Sequence, residues 1–226
     1  MNKLTVLFKR AKHIYQTEGL TSLLRRGVAF VVSRVFEYRT YYLFEYNLRN
    51  RQQVNEADLL PAQGDFTINI VTSSDEMAQL EADGYQFRSY PHGFDDGRAL
   101  DDGAMAFCVF DGRRLASIGW VATAQKAMDS LVLRHMEIDF SRGCVLAGLS
   151  WTGPDYRRMG LHAYRAYKVQ HYLADRGKLF IRGYLEKGNI PATKGLTRIG
   201  DTVYAEGRYL KILRWKFWKE RPLTPD

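Results

Sequence analysis

Residues 151–161 read WTGPDYRRMGL, and they run straight into HAYRAYKVQHYLAD at 162–175. The apolar stretch CVLAGLSW at 144–151 precedes them. A short apolar run, a Gly-Pro turn and a longer stretch with apolar residues at three- and four-residue spacing read as strand, loop and helix. Arg157, Arg158 and Gly160 fall at the start of that helix. A helix start exposes N–H groups that have no intrahelical partner and carries a partial positive charge. A small residue there lets a phosphate group approach the backbone, so the junction suits a diphosphate. On these residues alone a purely structural turn, stiffened by Pro154 and capped by Asp155, fits as well.

The elements around the junction follow from the same patterns. FTINIV at 66–71 is a strand, and Ser73 or Ser74 caps a short helix with Asp75 and Glu76 in its first turn. AMAFCVF at 104–110 and RLASIGWVA at 114–122 flank Asp111-Gly112 and form a hairpin. PHGFDDGRALDDG at 91–103 reads as a loop, and LVLRHMEIDF at 131–140 as a further strand. KLFIRGYLE at 178–186 is a strand and 189–199 a short helix; two last strands are expected at 201–206 and 208–217. YRTYYLFEYNL at 38–48 is a strand, and the polar stretch 52–64 reads as a linker. The order is that of a mixed α+β domain.

A chain of 226 residues with 46% hydrophobic content has enough apolar material for a core, which excludes general disorder. Cys108 and Cys144 lie in apolar runs and are expected as buried thiols in a reducing compartment. Charge is uneven. Residues 1–50 hold nine Lys/Arg against three Asp/Glu, whereas residues 55–102 hold eleven Asp/Glu against Arg88 and Arg98. No run reaches the roughly 18–20 apolar residues that span a bilayer, and the short LTVLF run followed by KRAKH does not make a secretory signal, so a cytoplasmic address is expected. Leu4, Leu7, Ala11 and Ile14, then Leu20, Leu24, Val28, Val31 and Val35, make apolar stripes in a basic setting. Such helices pack on their own domain or lie on an anionic membrane, so a peripheral membrane contact through residues 1–36 stays open. The C-terminal RYLKILRWKFWKE alternates basic and aromatic residues; it reads as a half-buried strand with a solvated basic face, and nucleic acid is not expected as a partner.

Arg157-Arg158-Met159-Gly160-Leu161-His162 resembles the acyl-CoA loop of the GCN5-related N-acetyltransferases, whose pattern is Arg/Gln-x-x-Gly-x-Gly/Ala. Thr152, Pro154 and Tyr156 with Arg157, Gly160 and Leu161 are similar to a variant found in part of that family. Asn189, Ala192 and Gly200 resemble its second motif. The resemblance covers roughly residues 65–217 and does not account for residues 1–60, so two parts are expected: an N-terminal basic amphipathic helical extension with a strand at 1–60, and an acyltransferase domain at 61–226. The implied fold is α+β, a mixed and mostly antiparallel sheet flanked by helices. The implied chemistry is direct transfer of an acyl group, normally acetyl, from acetyl-CoA to an amine of a small molecule or amino sugar, without a metal. In the family the strand before the loop parts from the strand that follows the helix, and the pantetheine arm lies between them. Leu149, Ser150 and Trp151 would then meet the thioester, with a strand N–H polarising its carbonyl. Alternatives with the same fold are a non-catalytic acyl-CoA-binding module and an aminoacyl-tRNA-dependent transferase; a homodimer is also left open.

Three departures stand out. His162 fills a position usually held by Gly or Ala, Leu196 stands where many members carry a proton-donating tyrosine, and Asp201 replaces a usual Phe. The proton therefore needs another handler. His135, Glu137 and Asp139 alternate with Met136, Ile138 and Phe140, which on a strand puts them on one face. Glu137 and Asp139 are the candidate bases, although a solvent-facing strand gives the same pattern. Tyr184 is the candidate proton donor to the thiolate. Asn189 either bonds the pantetheine or caps its helix.

Overall fold

The computed structural model describes residues 35–50, 55–61, 64–87, 95–131, 133, 136–198 and 200–223. Residues 1–34, and with them most of the basic amphipathic stretch, lie outside the described residues, as do His13, His92 and His135. The strands are β1 Phe36–Asn47, β2 Phe66–Val71, β3 Ala104–Asp111, β4 Arg114–Ala122, β5 Cys144–Thr152, β6 Phe180–Glu186, β7 Thr202–Ile212 and β8 Trp215–Pro222. The helices are α1 Ser74–Ala82, α2 Asp96–Asp101, α3 Gln125–Ser130, α4 Leu161–Asp175 and α5 Ile190–Arg198. The sheet runs β2-β3-β4-β5-β6-β1-β7-β8. The β2–β3, β3–β4, β4–β5 and β1–β6 pairs are antiparallel, and β5–β6 is parallel across the α4 crossover. The fold class is the α+β sheet with flanking helices expected above.

The chain divides into two compact units, Tyr41–Glu206 with Arg221–Asp226, and Met1–Thr40 with Gly207–Glu220. The larger unit is centred on the β3–β4 hairpin. Asp111-Gly112 turns it, with Gly112 at φ +56, and eight of the nine residues of β4 are buried. Phe107, Val121 and Val145 pack with Val169 and Leu173 from α4 and with Tyr46 and Leu48 from the end of β1. Each such fully buried large apolar side chain contributes about 1.5–3 kcal/mol. A second group, Val109, Ala116, Tyr156 and Leu161, anchors the loop before α4. Cys108 and Cys144 are buried free thiols, and burial pushes both above the ordinary thiol range. The strand at 38–48 pairs with β6 through Tyr41–Asn47. No helix among the described residues is long and apolar enough to cross a membrane.

Three expectations are corrected. The run 131–140 is not a strand: α3 ends at Ser130, residues 136–139 have no regular structure, and Phe140–Arg142 is a 3-10 turn capped by Asp139. β3 and β5 already occupy both edges of β4, so this run has no ladder to join there. Its apolar residues Leu131, Leu133 and Met136 are buried as plugs instead. The stretch 95–101, read as loop, holds α2, with the Asp95 carboxylate accepting the Arg98 N–H at 3.1 Å. Gly207 does not separate the last strands; it is buried inside β7, and the break falls at Leu213-Arg214.

Candidate active site

β5 makes the site. Its first part pairs on one side with β4 and on the other with β6, where Cys144–Ala147 faces Phe180–Gly183. The ladder to β6 stops at Ala147 although both strands continue. β6 carries on against β1, with Tyr184 opposite Leu43 and Glu186 opposite Tyr41. The parting opens a gap beside Gly148–Thr152. In the same stretch Trp120 faces Gly148 but Ile118 faces Trp151, so Leu149 and Ser150 together oppose Gly119. This is a β-bulge, and Leu149 takes a left-handed φ of +49 within it.

The gap belongs to a cleft of about 1000 Å³. Its walls are Ala147–Thr152 of β5, the Arg157–Gly160 loop, the first turns of α4, Ile181–Leu185 of β6, and Asn189, Gly195, Leu196 and Asp201 around α5. The loop is fixed from outside the cleft. The Gly153 N–H donates to Ala116 O at 2.9 Å, and the Tyr156 hydroxyl donates to Asp111 at 3.1 Å while its ring sits edge-on to Phe66. Asp155 does not cap α4; it binds the Arg114 guanidinium at 2.8 Å. Arg157 is extended, Arg158 is left-handed at φ +68, and Gly160 is left-handed at φ +80 and stands as the N-cap without a side-chain cap bond. A Cβ on Gly160 would meet nothing within 4 Å, so glycine is favoured there for its backbone angle rather than for space. The first helical bond is Tyr164 N–H to Gly160 O at 3.1 Å. The amides of Leu161, His162 and Ala163 thus head a helix whose start has no capping side chain, beside two exposed arginines. That is the chemistry of an anion seat.

Arg165, one turn into α4, is 3% exposed. It donates to Ser117 Oγ, to Ile118 O at 2.6 Å, to Ser150 Oγ at 2.8 Å and more loosely to Trp151 O at 3.4 Å. It thereby ties the helix to β4 and to the bulge of β5. A Cβ on Gly119 would lie 2.7 Å from Arg165 Nε, so the arginine requires a glycine opposite the bulge. Arg165 also donates to His162 Nδ1 at 3.0 Å. Arginine has no acceptor, so Nδ1 accepts and the proton of the neutral ring sits on Nε2. Burial first, and the Arg165 charge second, push His162 down to about 4. Its Nε2 is buried at the cleft wall with no hydrogen-bond partner among the described residues.

Of the residues expected at the site, Leu149, Ser150, Trp151, Arg157, Arg158, Gly160, Leu161, His162, Tyr184 and Asn189 all line the cleft. Met159 packs on the Val109–Leu161 group instead. Asn189 Oδ1 accepts the Ala192 N–H at 3.4 Å, the capping arrangement. Glu137 and Asp139 do not line the cleft: both are exposed, and Asp139 is taken up by Ser141, whose hydroxyl holds the carboxyl below its usual range. Tyr184 stands edge-on to Tyr41, ring centroids 5.4 Å apart.

Two residues gain significance only in the fold. Arg165 sits in a helix among Tyr, Lys and Gln, where a solvent-facing role is the default reading. Asp201 follows α5, its N–H donating to Leu196 O at 3.1 Å. Among the described residues it is the only carboxyl-bearing one that lines the cleft. Burial pushes it up to about 7. Its one trace in the sequence is a carboxyl at a place where an aromatic is usual.

No family profile matches the chain, and no curated protein does. Solved structures do. A GCN5-related N-acetyltransferase-like protein from Streptococcus suis matches 90% of this chain and 69% of its own, with a TM-score of 0.50 at 12% identity. The GCN5-related glucosamine N-acetyltransferase region of a fungal multi-domain β-N-acetylglucosaminidase matches 88% of this chain and 23% of that one, with a TM-score of 0.50 at 11% identity. A GCN5-related N-acetyltransferase from Kribbella flavida matches 82% of this chain, with a TM-score of 0.46 at 18% identity. The chain spans 63% of that protein's length and 58% of that of a Drosophila protein. The parted β5 and β6, with the loop and helix between them, belong to a chain that has the fold of the GCN5-related N-acetyltransferase superfamily.

Proposed function

We propose that the chain is an acyl-CoA-dependent N-acyltransferase that moves an acetyl group from acetyl-CoA to a primary amine on a small molecule or amino sugar. The observation that carries this is the continuity of one cleft. It begins where β5 parts from β6 and ends at the uncapped start of α4. An elongated thioester with a charged diphosphate fits such a cleft, because strand backbone borders its middle and helix amides border one end. The residues present suit the co-substrate. Leu161–Ala163 supply amides, Arg157 and Arg158 supply charge, and His162 supplies a buried donor that an oxygen of the carrier can satisfy. The bulge at Leu149–Ser150 turns the strand locally where the thioester carbonyl is to be polarised.

In the reaction the amine nitrogen bonds to the thioester carbon, the C–S bond breaks, the nitrogen loses a proton and the departing thiolate gains one. Asp201 is the carboxyl on hand for that proton. Burial places it between its two forms near neutral pH, the condition for moving a proton in either direction. Tyr184 is the other candidate donor at the cleft wall.

Isothermal titration with acetyl-CoA tests the site, run on the native chain and on Gly160→Glu. A carboxylate at the helix start repels the diphosphate, so the affinity is expected to fall by about a hundredfold, roughly 3 kcal/mol. Equal affinities would remove the seat. Release of free thiol against a panel of amines then tests transfer itself: tight binding with no thiol release would leave a binding module and no enzyme.

A further inference from the structure

The smaller unit carries a surface that acyl transfer does not use. It contains the second half of β7, the Leu213-Arg214 turn and most of β8, together with the start of β1. The Leu213 N–H donates to Val35 O at 2.6 Å, which ties the turn to the residue before β1. Large apolar side chains stand in water here: Leu213 is 60% exposed, Trp215 59% and Phe217 53%, and Ile212, Phe36 and Tyr38 are exposed as well. Trp215 and Phe217 are two apart on β8 and share a face. The half-buried strand expected from the alternation is therefore not what forms, since six of the eight residues of β8 are exposed.

Basic residues are threaded through the same stretch. Residues 207–220 hold Arg208, Lys211, Arg214, Lys216 and Lys219 against the single acid Glu220, which accepts the Trp218 indole N–H at 2.9 Å. Arg39 and Glu37 pair with each other at 2.8 Å and add no net charge. Lysines on an edge strand guard against unwanted strand pairing. That function does not require three large apolar groups beside them, and an apolar cluster of this kind usually marks a contact surface. A second copy of the chain would bring like charges together. Nucleic acid would use the charges and the aromatic rings, but not the aliphatic Ile212 and Leu213 at the turn. An anionic bilayer uses all three, because aliphatic groups enter the acyl region, tryptophan prefers the interface and the cations meet phosphates.

We propose that the β7–β8 hairpin docks tip first on an anionic phospholipid surface. Leu213, Trp215 and Phe217 enter the interface while Lys211, Arg214 and Lys216 reach head-group phosphates, their stems running along the apolar layer.

The test uses the full chain and sedimentation with vesicles of phosphatidylcholine, alone or mixed with phosphatidylglycerol, at low and high salt. The expected result is binding to the mixed vesicles that weakens with salt, with a blue shift of tryptophan emission on binding. The exposed double variant Trp215→Glu/Phe217→Glu is expected to weaken binding at least about tenfold, or about 1.4 kcal/mol, with an unchanged melting temperature. A second variant, Lys211→Glu/Lys216→Glu, is expected to lose binding to the mixed vesicles even if the first fails to fold. The proposal is overturned by no vesicle binding, by equal binding to neutral vesicles, or by full binding of both variants, which would assign the contact to other residues. A dimer in light scattering that the aromatic variant dissolves would overturn it too, as would tighter binding to a short oligonucleotide than to vesicles.

Discussion

The two halves of β5 share a strand and differ in what completes them. Cys144, Val145 and Leu146 are buried and all three pair with β6, while Leu146 and Ala147 have β4 on their other side as well. Leu149–Thr152 keeps β4 alone, slips register by one residue and stands half open to the cleft. The polar groups of this second half are met partly by a side chain, since Arg165 reaches Ser150 Oγ and, more loosely, Trp151 O from the helix above, together with Ile118 O on the neighbouring β4. A sheet can thus make a slot by parting two strands rather than by shrinking side chains, and one long donor then does what the missing ladder would have done. The largest test of that difference is Arg165→Met. It keeps much of the volume and removes a charged donor from several buried acceptors. A loss of about 3 kcal/mol of unfolding free energy is expected by chemical denaturation. A loss below about 1 kcal/mol would mean that the second half of β5 holds without the arginine.

Gly119→Ala is the next largest. Its methyl would lie 2.7 Å from Arg165 Nε, and overpacking of this kind costs about 1–3 kcal/mol. The clash involves one side chain, so the cost should largely vanish in the Arg165→Met background. The double-mutant cycle measures this directly, and additive losses would show that Gly119 is needed for some other reason.

Asp201→Asn separates stability from chemistry. Burial pushes the folded carboxyl up to about 7, well above the ordinary aspartate range, so the unfolded chain gives up the proton first. The stability this group contributes is fully present below about pH 4 and is lost as pH rises towards 7. Asp201→Asn is therefore expected to melt higher than the native chain at pH 8 and at the same temperature at pH 4. If Asp201 also moves the reaction's proton, the variant keeps its acetyl-CoA affinity while the pH limb of turnover near 7 disappears. Burial and the Arg165 charge push His162, also at the cleft wall, down to about 4, so it does not replace that limb. An unaltered profile would remove Asp201 from the proton path.

Where the sequence was readable, local rules sufficed. Asp111-Gly112 between two apolar runs set the β3–β4 hairpin, and Gly153-Pro154 followed by the spacing of Leu161, Tyr164 and Val169 located α4 from end to end. The seat at Gly160 was legible for the same reason, because a helix start is a local event. The misreadings at 131–140 and at the site depend on partners. The alternation at 131–140 looks like a strand until β5 is seen to fill the edge it would need. Glu137 and Asp139 lost their place in the cleft with it. Arg165 has the sequence surroundings of a surface residue, and only the stacking of α4 over β4 and the bulge buries it. The bulge is a register event between two strands, which neither strand encodes alone. Asp201 depends on burial against the cleft walls, which are drawn from β5, β6, α4 and α5.

Gly160→Ala is expected to give the smallest effect and to sharpen the contrast between the two roles of this residue. The position is left-handed at φ +80, yet a Cβ there would meet nothing within 4 Å. The cost is therefore conformational, about 1–2 kcal/mol for holding an L-residue in that region, with no steric part. The first-turn amides stay where they are, so the affinity for acetyl-CoA should fall less than about tenfold, against about a hundredfold for Gly160→Glu. A graded response of this kind ties the seat to charge at the helix start. If alanine abolished binding as completely as glutamate, the loop's shape would be the controlling property, and the open first turn of α4 would matter less than the path the chain takes through Arg158 and Gly160.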